Sequence, residues 1–408
     1  MSKSLSKKIL KTFYLLPQKT KAFIDREDIT FILYDAGESK ALIPVFDILE
    51  ECGLNFHILA FATSSRLVKD YQKRVIDLSK KLGKKPYSSQ WLREEKLSEK
   101  QLEIIFNSLN TNYVVTGMVS SLQQQISKNL KKKGIFVVGY YDSFSPITTG
   151  SISYSFLHCL DEVLLPSEDI AENIQNLFPQ LRVLVVGQPS IETWQKMIKE
   201  GFNENKKFNF NRDGRFTIIY VGGYGHNYSE AFQLFLDSVE NELECRIIIS
   251  LHPKVNGDIE KELLSKKSYP HIEILSKEIP TNCAVLYADL VVTQCSTVGV
   301  QAIFIEKPVI FLDVKDSTFN NVAIKNGWAQ KISSKEEFLK VLSLGVEDPS
   351  KPTKCIFKQG GIPKKASTLI FNAIQAKSRN RIFQVLQRNK ELGRTFSQTL
   401  STMRQKNK

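Results

Sequence analysis

Asp289-Leu-Val-Val-Thr-Gln-Cys-Ser-Thr-Val-Gly-Val-Gln-Ala-Ile-Phe-Ile-Glu-Lys-Pro-Val-Ile310 decides how the rest of the chain is read. An apolar run ends at Thr293, a small polar loop follows at Cys295, Ser296 and Thr297, an apolar helix opens with Gly299 near its first turn, and Val309 starts the next apolar run. Strand, tight loop, helix, strand is one unit of a parallel sheet, whose strands are covered on both faces and read as unbroken apolar runs. Hydroxyls beside the free N–H groups of a helix start also form a place for an anion, helped by the positive end of the helix dipole. A diphosphate suits that place. The same Ser or Thr would cap the helix with no ligand at all.

The rhythm continues in both directions. Upstream, Thr30–Tyr34, Asn55–Phe61, Tyr113–Thr116, Ile135–Tyr141, Glu162–Pro166 and Arg182–Val186 read as strands, with helices at Lys40–Cys52, Ser64–Leu82, Ser98–Leu109 and Ser120–Lys132. Nearer the quoted stretch, Thr217–Val221, Cys245–Leu251, Ile272–Leu275, Leu290–Thr293 and Val309–Leu312 alternate with helices near Tyr228–Glu242, Asp258–Lys266, Ile279–Tyr287 and Val298–Phe304. Between the two series, GFNENKKFNFNRDG (201–214) is Gly- and Asn-rich with mixed charge and reads as a linker. The expected class is therefore α/β, with two doubly wound, Rossmann-like domains facing across a cleft. The expected divisions are a basic segment 1–24, an acceptor domain 25–200, the linker 201–214, a nucleotide-binding domain 215–365, and a helix with a basic tail at 366–408. Ligands of such sheets bind beyond the carboxyl ends of the strands, so informative residues should follow strands.

Three more stretches meet that condition. RIIISLHPK (246–254) is a strand halted by Pro253, which presents His252 and Lys254 at its carboxyl end for a phosphate or a ribose hydroxyl. FTIIYVGGYGHNYS (216–229) runs a strand into Gly222, Gly223 and Gly225, glycines that let backbone approach a ligand, although the spacing is not GxGxxG. FILYDAGESK (31–40) breaks at Asp35, Gly37 and Glu38 before a helix. A carboxylate partly desolvated there can serve as a base, Glu38 first and Asp35 second, or can simply cap the helix.

In this order the C-terminal pieces resemble the nucleotide-binding domain of GT-B glycosyltransferases and the related UDP-N-acetylglucosamine 2-epimerases. His252-Pro253 followed by Ser296-Thr297 resembles the paired HP and S motifs of bacterial sialyltransferases and CDP-glycerol transferases. That resemblance implies that His252, Pro253, Ser296 and Thr297 hold the donor nucleotide and its phosphates. Many UDP-sugar members carry a ribose-binding Glu on the following helix where this chain has Gln301, an amide still able to bond a hydroxyl. Gly37-Glu38-Ser39 resembles the opening loop of lipid-A-disaccharide synthase without the Gly-Asp that follows in that family. GIFVVGYYDS (134–143), with an acidic residue at a strand end, and VGQP (186–189), a turn before the linker, resemble the N-terminal domain of the same superfamily.

At 408 residues the chain is long enough for two cores, and hydrophobic and aromatic contents of 42% and 10% are globular values. No apolar stretch reaches the ~20 residues of a membrane span, and the start of the chain lacks the apolar core of a signal peptide. Six scattered cysteines without a CxxC pair read as reduced core thiols in a cytoplasm. The net charge of +13 is concentrated: residues 1–24 contribute +6 and residues 377–408 contribute +8, leaving a body near −1. Such ends suit an anionic membrane surface or serve solubility; without interleaved aromatics they do not suit nucleic acid. No DxD occurs and the five histidines are dispersed, so no metal is expected. The chain reads as a metal-independent, cytoplasmic or membrane-peripheral glycosyltransferase moving a sugar from a nucleotide sugar to a surface-glycan or lipid-linked acceptor. The alternatives are a nucleotide-sugar epimerase, a group with more acidic cleft residues than are visible here, and a non-catalytic nucleotide-binding protein.

Overall fold

A computed structural model describes residues 29–83, 96–109, 111, 113–199, 214–224, 227–253, 255–276, 279–314, 322–344 and 366–374. The basic ends 1–24 and 377–408, the linker 201–213, the Lys- and Pro-rich stretch up to 365, Gly225 and Lys254 lie outside these residues.

Two all-parallel sheets organise the chain. The first takes its strands from β1 (Ile29–Leu33), β2 (Phe56–Ala60), β3 (Val75–Asp77), β4 (Tyr113–Gly117), β5 (Phe136–Tyr140), β6 (Glu162–Leu165) and β7 (Arg182–Val185), in the order β3-β2-β1-β4-β5-β6-β7. The second uses β8 (Thr217–Val221), β9 (Arg246–Ser250), β10 (Ile272–Ile274), β11 (Leu290–Thr293), β12 (Val309–Leu312) and β13 (Gln330–Ile332), in the order β10-β9-β8-β11-β12-β13. Both orders reverse beside their first strand, between β1 and β4 and between β8 and β11. Each reversal opens a crevice at the carboxyl edge where a ligand can enter.

The central strands are buried along their whole length because alternate side chains enter different cores. Phe31 and Leu33 of β1 pack with the helix Ala36–Glu51, while Ile32 packs on the opposite face with the helix Ser121–Lys132. Tyr220 and Ile218 of β8 likewise face away from Ile219 and Val221. Apolar contacts also join the halves: Phe144, Ile191 and Trp194 enter a core of the second sheet, and Phe144 lies 6.3 Å from Phe304. The helical segment 366–374 returns to the first half, burying Ile370, Phe371 and Ile374 against its sheet.

Several expectations need correction. Ser64–Leu82 is not one helix; it divides into the helix Ala62–Leu67, a short 3₁₀ turn Lys69–Tyr71, edge strand β3 and the helix Leu78–Lys81. Ile58–Ala60 of β2 pairs with Val75–Asp77, so sheet pairing overrides the local helical pattern. Asp35 to Glu38 is not a loop either: the helix already starts at Ala36, with Asp35 as its N-cap. Strand β13 was not expected, being short and carrying Gln330 and Lys331. Of the cysteines, Cys159 and Cys283 are core thiols, whereas Cys52 and Cys295 are exposed.

Candidate functional site

At the β8/β11 crevice three loops are tied into one surface. Thr293 Oγ1 donates to Val221 O at 3.0 Å, joining the ends of β11 and β8, and Ser296 N donates back to Thr293 Oγ1 at 3.2 Å. The loop after β8 lies against the end of β9 so closely that a Cβ on Gly222 would stand 2.9 Å from Ser250 O and 3.0 Å from His252 N. Gly222 is thus needed for loop packing. A Cβ on Gly223 would meet the Tyr228 ring at 3.3 Å. The Tyr224 ring stands edge-on to His252 at 4.6 Å, and both residues are open to solvent in part. Beneath this loop, Tyr228 donates to the buried Glu260 at 2.6 Å. His252, Pro253, Gly222, Gly223, Ser296 and Thr297 therefore share one sheet edge, with Lys254 and Gly225 placed there by sequence alone.

Ser296 caps the helix Thr297–Ile303 by accepting from Val298 N at 3.2 Å. Its hydroxyl hydrogen, rather than its lone pair, is what remains to offer a phosphate oxygen. Gly299 has a packing reason: a Cβ there would stand 2.8 Å from the Phe311 ring and 2.9 Å from Thr293 Cγ2.

The opposing edge, at the β1/β4 crevice, carries carboxylates. Glu38 is fully buried; one oxygen accepts from Tyr34 N, from Asp35 N at 3.2 Å and from Gln123 Nε2 at 2.9 Å, while Asp35 accepts from Gly37 N at 2.9 Å and from Glu38 N at 3.4 Å. This reciprocal bonding is a capping box. Burial first, then the charges of Asp35 and Asp142, push the Glu38 carboxyl well above the usual carboxylate range, against the lowering effect of its backbone N–H bonds. Asp142, at the end of β5, completes the group: a Cβ on Gly37 would overlap its carboxylate, and one on Gly117 would overlap that of Glu38. Exposure rises from Glu38 through Asp35, at 7%, to the half-buried Asp142. Among the described residues no set of three His, Cys, Asp or Glu is placed to hold a metal ion.

This arrangement of two sheets and two crevices has counterparts among known proteins. A family model described as capsule polysaccharide biosynthesis protein matches residues 213–314, the segment holding all three loops of the β8/β11 crevice. No curated protein matches the chain in sequence. Among solved structures, UDP-GlcNAc 2-epimerase from Neisseria meningitidis bound to UDP-GlcNAc superposes with a TM-score of 0.63 at 14% identity, over 86% of this chain and 100% of that one. S. aureus MnaA in co-structure with UDP gives 0.63 at 13% identity, over 86% and 96%. MurG from Acinetobacter baumannii gives 0.51 at 12%, over 86% and 99%.

The chain has the GT-B fold.

In this GT-B frame one residue singled out in the sequence and two that were not assigned a role become intelligible. Gln301 is a joint between halves: its Nε2 donates to Gln188 Oε1 at 3.0 Å and to Ser190 Oγ at 2.8 Å. A ribose hydroxyl would meet it as an acceptor. Gln188 in turn donates to Asp142 O at 2.6 Å, so the turn before the linker connects the helix Thr297–Ile303 to the carboxylate group. Lys40 is exposed along its length, yet enough protein gathers round its ammonium to lower its pKa; Arg66 adds repulsion, and Cys283 of the other half opposes the shift. A cation thus stands where the two GT-B halves approach each other. VGQP marks Gln188 as part of a turn, but no local pattern marks Lys40 or the partners of Gln188; only the meeting of the halves does.

Proposed function

We propose that the chain is a nucleotide-sugar transferase whose C-terminal half holds the donor and whose N-terminal half receives the acceptor. The observation that carries this reading is the convergence of the His252, Gly222–Gly223 and Ser296–Thr297 loops at one topological reversal, inside the segment that matches the capsule polysaccharide family. His252 and the Ser296 and Thr297 hydroxyls bond the diphosphate and ribose, Pro253 ends the strand so that His252 stands at the edge, and Gly222, Gly223 and Gly225 admit the nucleotide. Gln301 accepts from a ribose hydroxyl. Lys254, N–H groups and hydroxyls stabilise the leaving diphosphate without a metal ion, as preorganised donors do in a closed site.

The acceptor, a surface-glycan or lipid-linked hydroxyl, meets Asp35 and Asp142 before the enclosed Glu38. Burial and the neighbouring Asp35 and Asp142 charges push the Glu38 carboxyl above the usual carboxylate range, toward the pH at which a carboxyl can exchange a proton with an acceptor. The basic ends suit an anionic membrane on the cytoplasmic side, where a lipid-linked acceptor would lie; no helix among the described residues is long and apolar enough to cross a membrane. Nucleotide-sugar epimerisation is the second reading, and Asp142 is what favours it, since removing and returning a proton on a sugar carbon uses more than one acid–base group.

Thermal shift with UDP, CMP, CDP and GDP tests the donor site, and stabilisation by none of them would overturn it. His252→Ala should weaken binding of the stabilising nucleotide by about 1 to 3 kcal/mol. Incubation with the corresponding nucleotide sugar in excess EDTA then separates the readings: released nucleotide marks transfer or its hydrolytic side reaction, and an isomerised nucleotide sugar marks epimerisation. Turnover abolished by EDTA and restored by Mg²⁺ would rule out the metal-independent mechanism.

A further inference from the structure

The N-terminal half carries a further concavity, lined by none of the residues assigned to either crevice. The helix Ser121–Lys132 starts at the carboxyl edge after β4 and runs back, so its last turns reach the amino edge of the sheet. Opposite stand the helix Ile152–Leu157 and the residues leading into β6. Together they enclose about 570 Å³, lined by Gln124, Lys128, Lys131, Lys132, Tyr154, Ser155, His158 and Cys159. That volume suits a small ligand.

Its lining includes no carboxylate. Lys131 is partly neutralised, bonding Leu160 O at 2.6 Å and standing 3.6 Å from Asp161. Lys128 and Lys132 are exposed on the same helical face, four residues apart, a spacing at which like charges repel. The negative end of the helix dipole explains a cation at 131 or 132, within the last turn, but not one at 128. Across the gap, the His158 ring is set edge-on between Tyr154 at 5.8 Å and Phe178 at 4.7 Å, which fixes an imidazole on the facing wall.

We infer that this concavity is an anion site for a phosphate-bearing ligand, gripped by Lys128 and Lys132 from one wall and by His158 and Tyr154 from the other. Lysine ammoniums act as point charges, and a phosphate can receive several of them at once without the planar match that a guanidinium requires. The phosphate can belong to a soluble compound or to a lipid headgroup. The inference stands apart from the transferase reading, because the site shares no residue with the carboxylate group or the donor loops.

Two arms test it on the full chain, each against a Lys128→Gln/Lys132→Gln variant whose exposed positions leave the fold intact. In the soluble arm, hydrogen–deuterium exchange with inorganic pyrophosphate should slow in residues 121–134 and 151–160 of the parent and stay unchanged there in the variant. Protection at the donor loops alone counts against the site. In the headgroup arm, co-sedimentation with phosphatidylcholine vesicles containing phosphatidylglycerol should weaken about fivefold for each lysine removed, with no binding change on pure phosphatidylcholine. A positive soluble arm alone assigns the site to free phosphate compounds, and a positive headgroup arm assigns it to a membrane surface. Identical behaviour of parent and variant in both arms would overturn the proposal.

Discussion

Glu38 shares one oxygen among Tyr34 N, Asp35 N and Gln123 Nε2, while its other oxygen is buried without a hydrogen bond. Such a carboxyl holds its proton to higher pH in the folded chain than in the unfolded one, where Glu titrates near ~4.3. Between those two values the folded state binds more protons, so the contribution of Glu38 to stability is full below the unfolded pKa and is lost as pH rises through the folded one. Glu38→Gln keeps the shape and an acceptor oxygen but cannot ionise. In urea unfolding at pH 5 and pH 8, the parent should lose stability relative to this variant on going to pH 8. A parallel response of both chains would remove Glu38 from the titration. Gly117 is tied to the same carboxylate: Gly117→Ala drives a methyl into Glu38 and should destabilise the chain by about 1 to 3 kcal/mol, read as a lower melting temperature.

The helix Thr297–Ile303 can be tested as an element because its cap and its proposed ligand contact use the same side chain. Ser296→Ala removes the bond to Val298 N and should cost about 1 kcal/mol of stability. Ser296→Asp retains a capping oxygen but brings a negative charge to the place of the diphosphate. Its melting temperature should match the parent while nucleotide affinity falls by about tenfold or more. If the aspartate variant binds nucleotide as tightly as the parent, the cap is the whole role of Ser296. Capping chemistry of this kind was legible in the sequence at Ser296 and at Asp35. Gly299 was legible only as a glycine near a helix start; its packing against Phe311 depends on the neighbouring strand β12.

Across the whole molecule, the two halves are held by a returning helix and by a buried polar chain. Ile370 and Phe371 complete the apolar core beneath β1 and β2, and Ser367 bonds Glu192 through both its N–H, at 2.8 Å, and its hydroxyl, at 2.5 Å. The end of the described chain therefore stabilises the half farthest from it in sequence. Ile370→Ala should cost about 2 to 4 kcal/mol by leaving a cavity in a packed core. Urea unfolding monitored in the N-terminal half is the check, and an effect below about 1 kcal/mol would mean that the segment merely rests on the sheet. The ion pair Lys325–Asp169 at 2.8 Å also bridges the halves, but its exposed position makes it a weak link.

Predominantly apolar runs such as Ile29–Leu33 and Leu290–Thr293 are enough to announce parallel strands, because a strand covered on both faces tolerates them. Strand ends follow from those runs, so Asp35, His252 and Ser296 could be placed at sheet edges from residue order alone. Strand order could not: the reversals at β1/β4 and β8/β11 arise from packing crossover helices on both faces, which no local pattern records. Edge strands β3 and β13 were hidden because short, partly polar segments become strands only when a neighbour supplies the hydrogen bonds. The carboxylate group was legible in two of its members and closed only by Asp142, which lies more than a hundred residues from Asp35 and comes against Gly37 because β5 stands two places from β1 in the sheet. Periodicity is a property of neighbours in the chain, whereas burial, pKa and the joining of Gln301 to Gln188 depend on atoms that only the tertiary fold brings together.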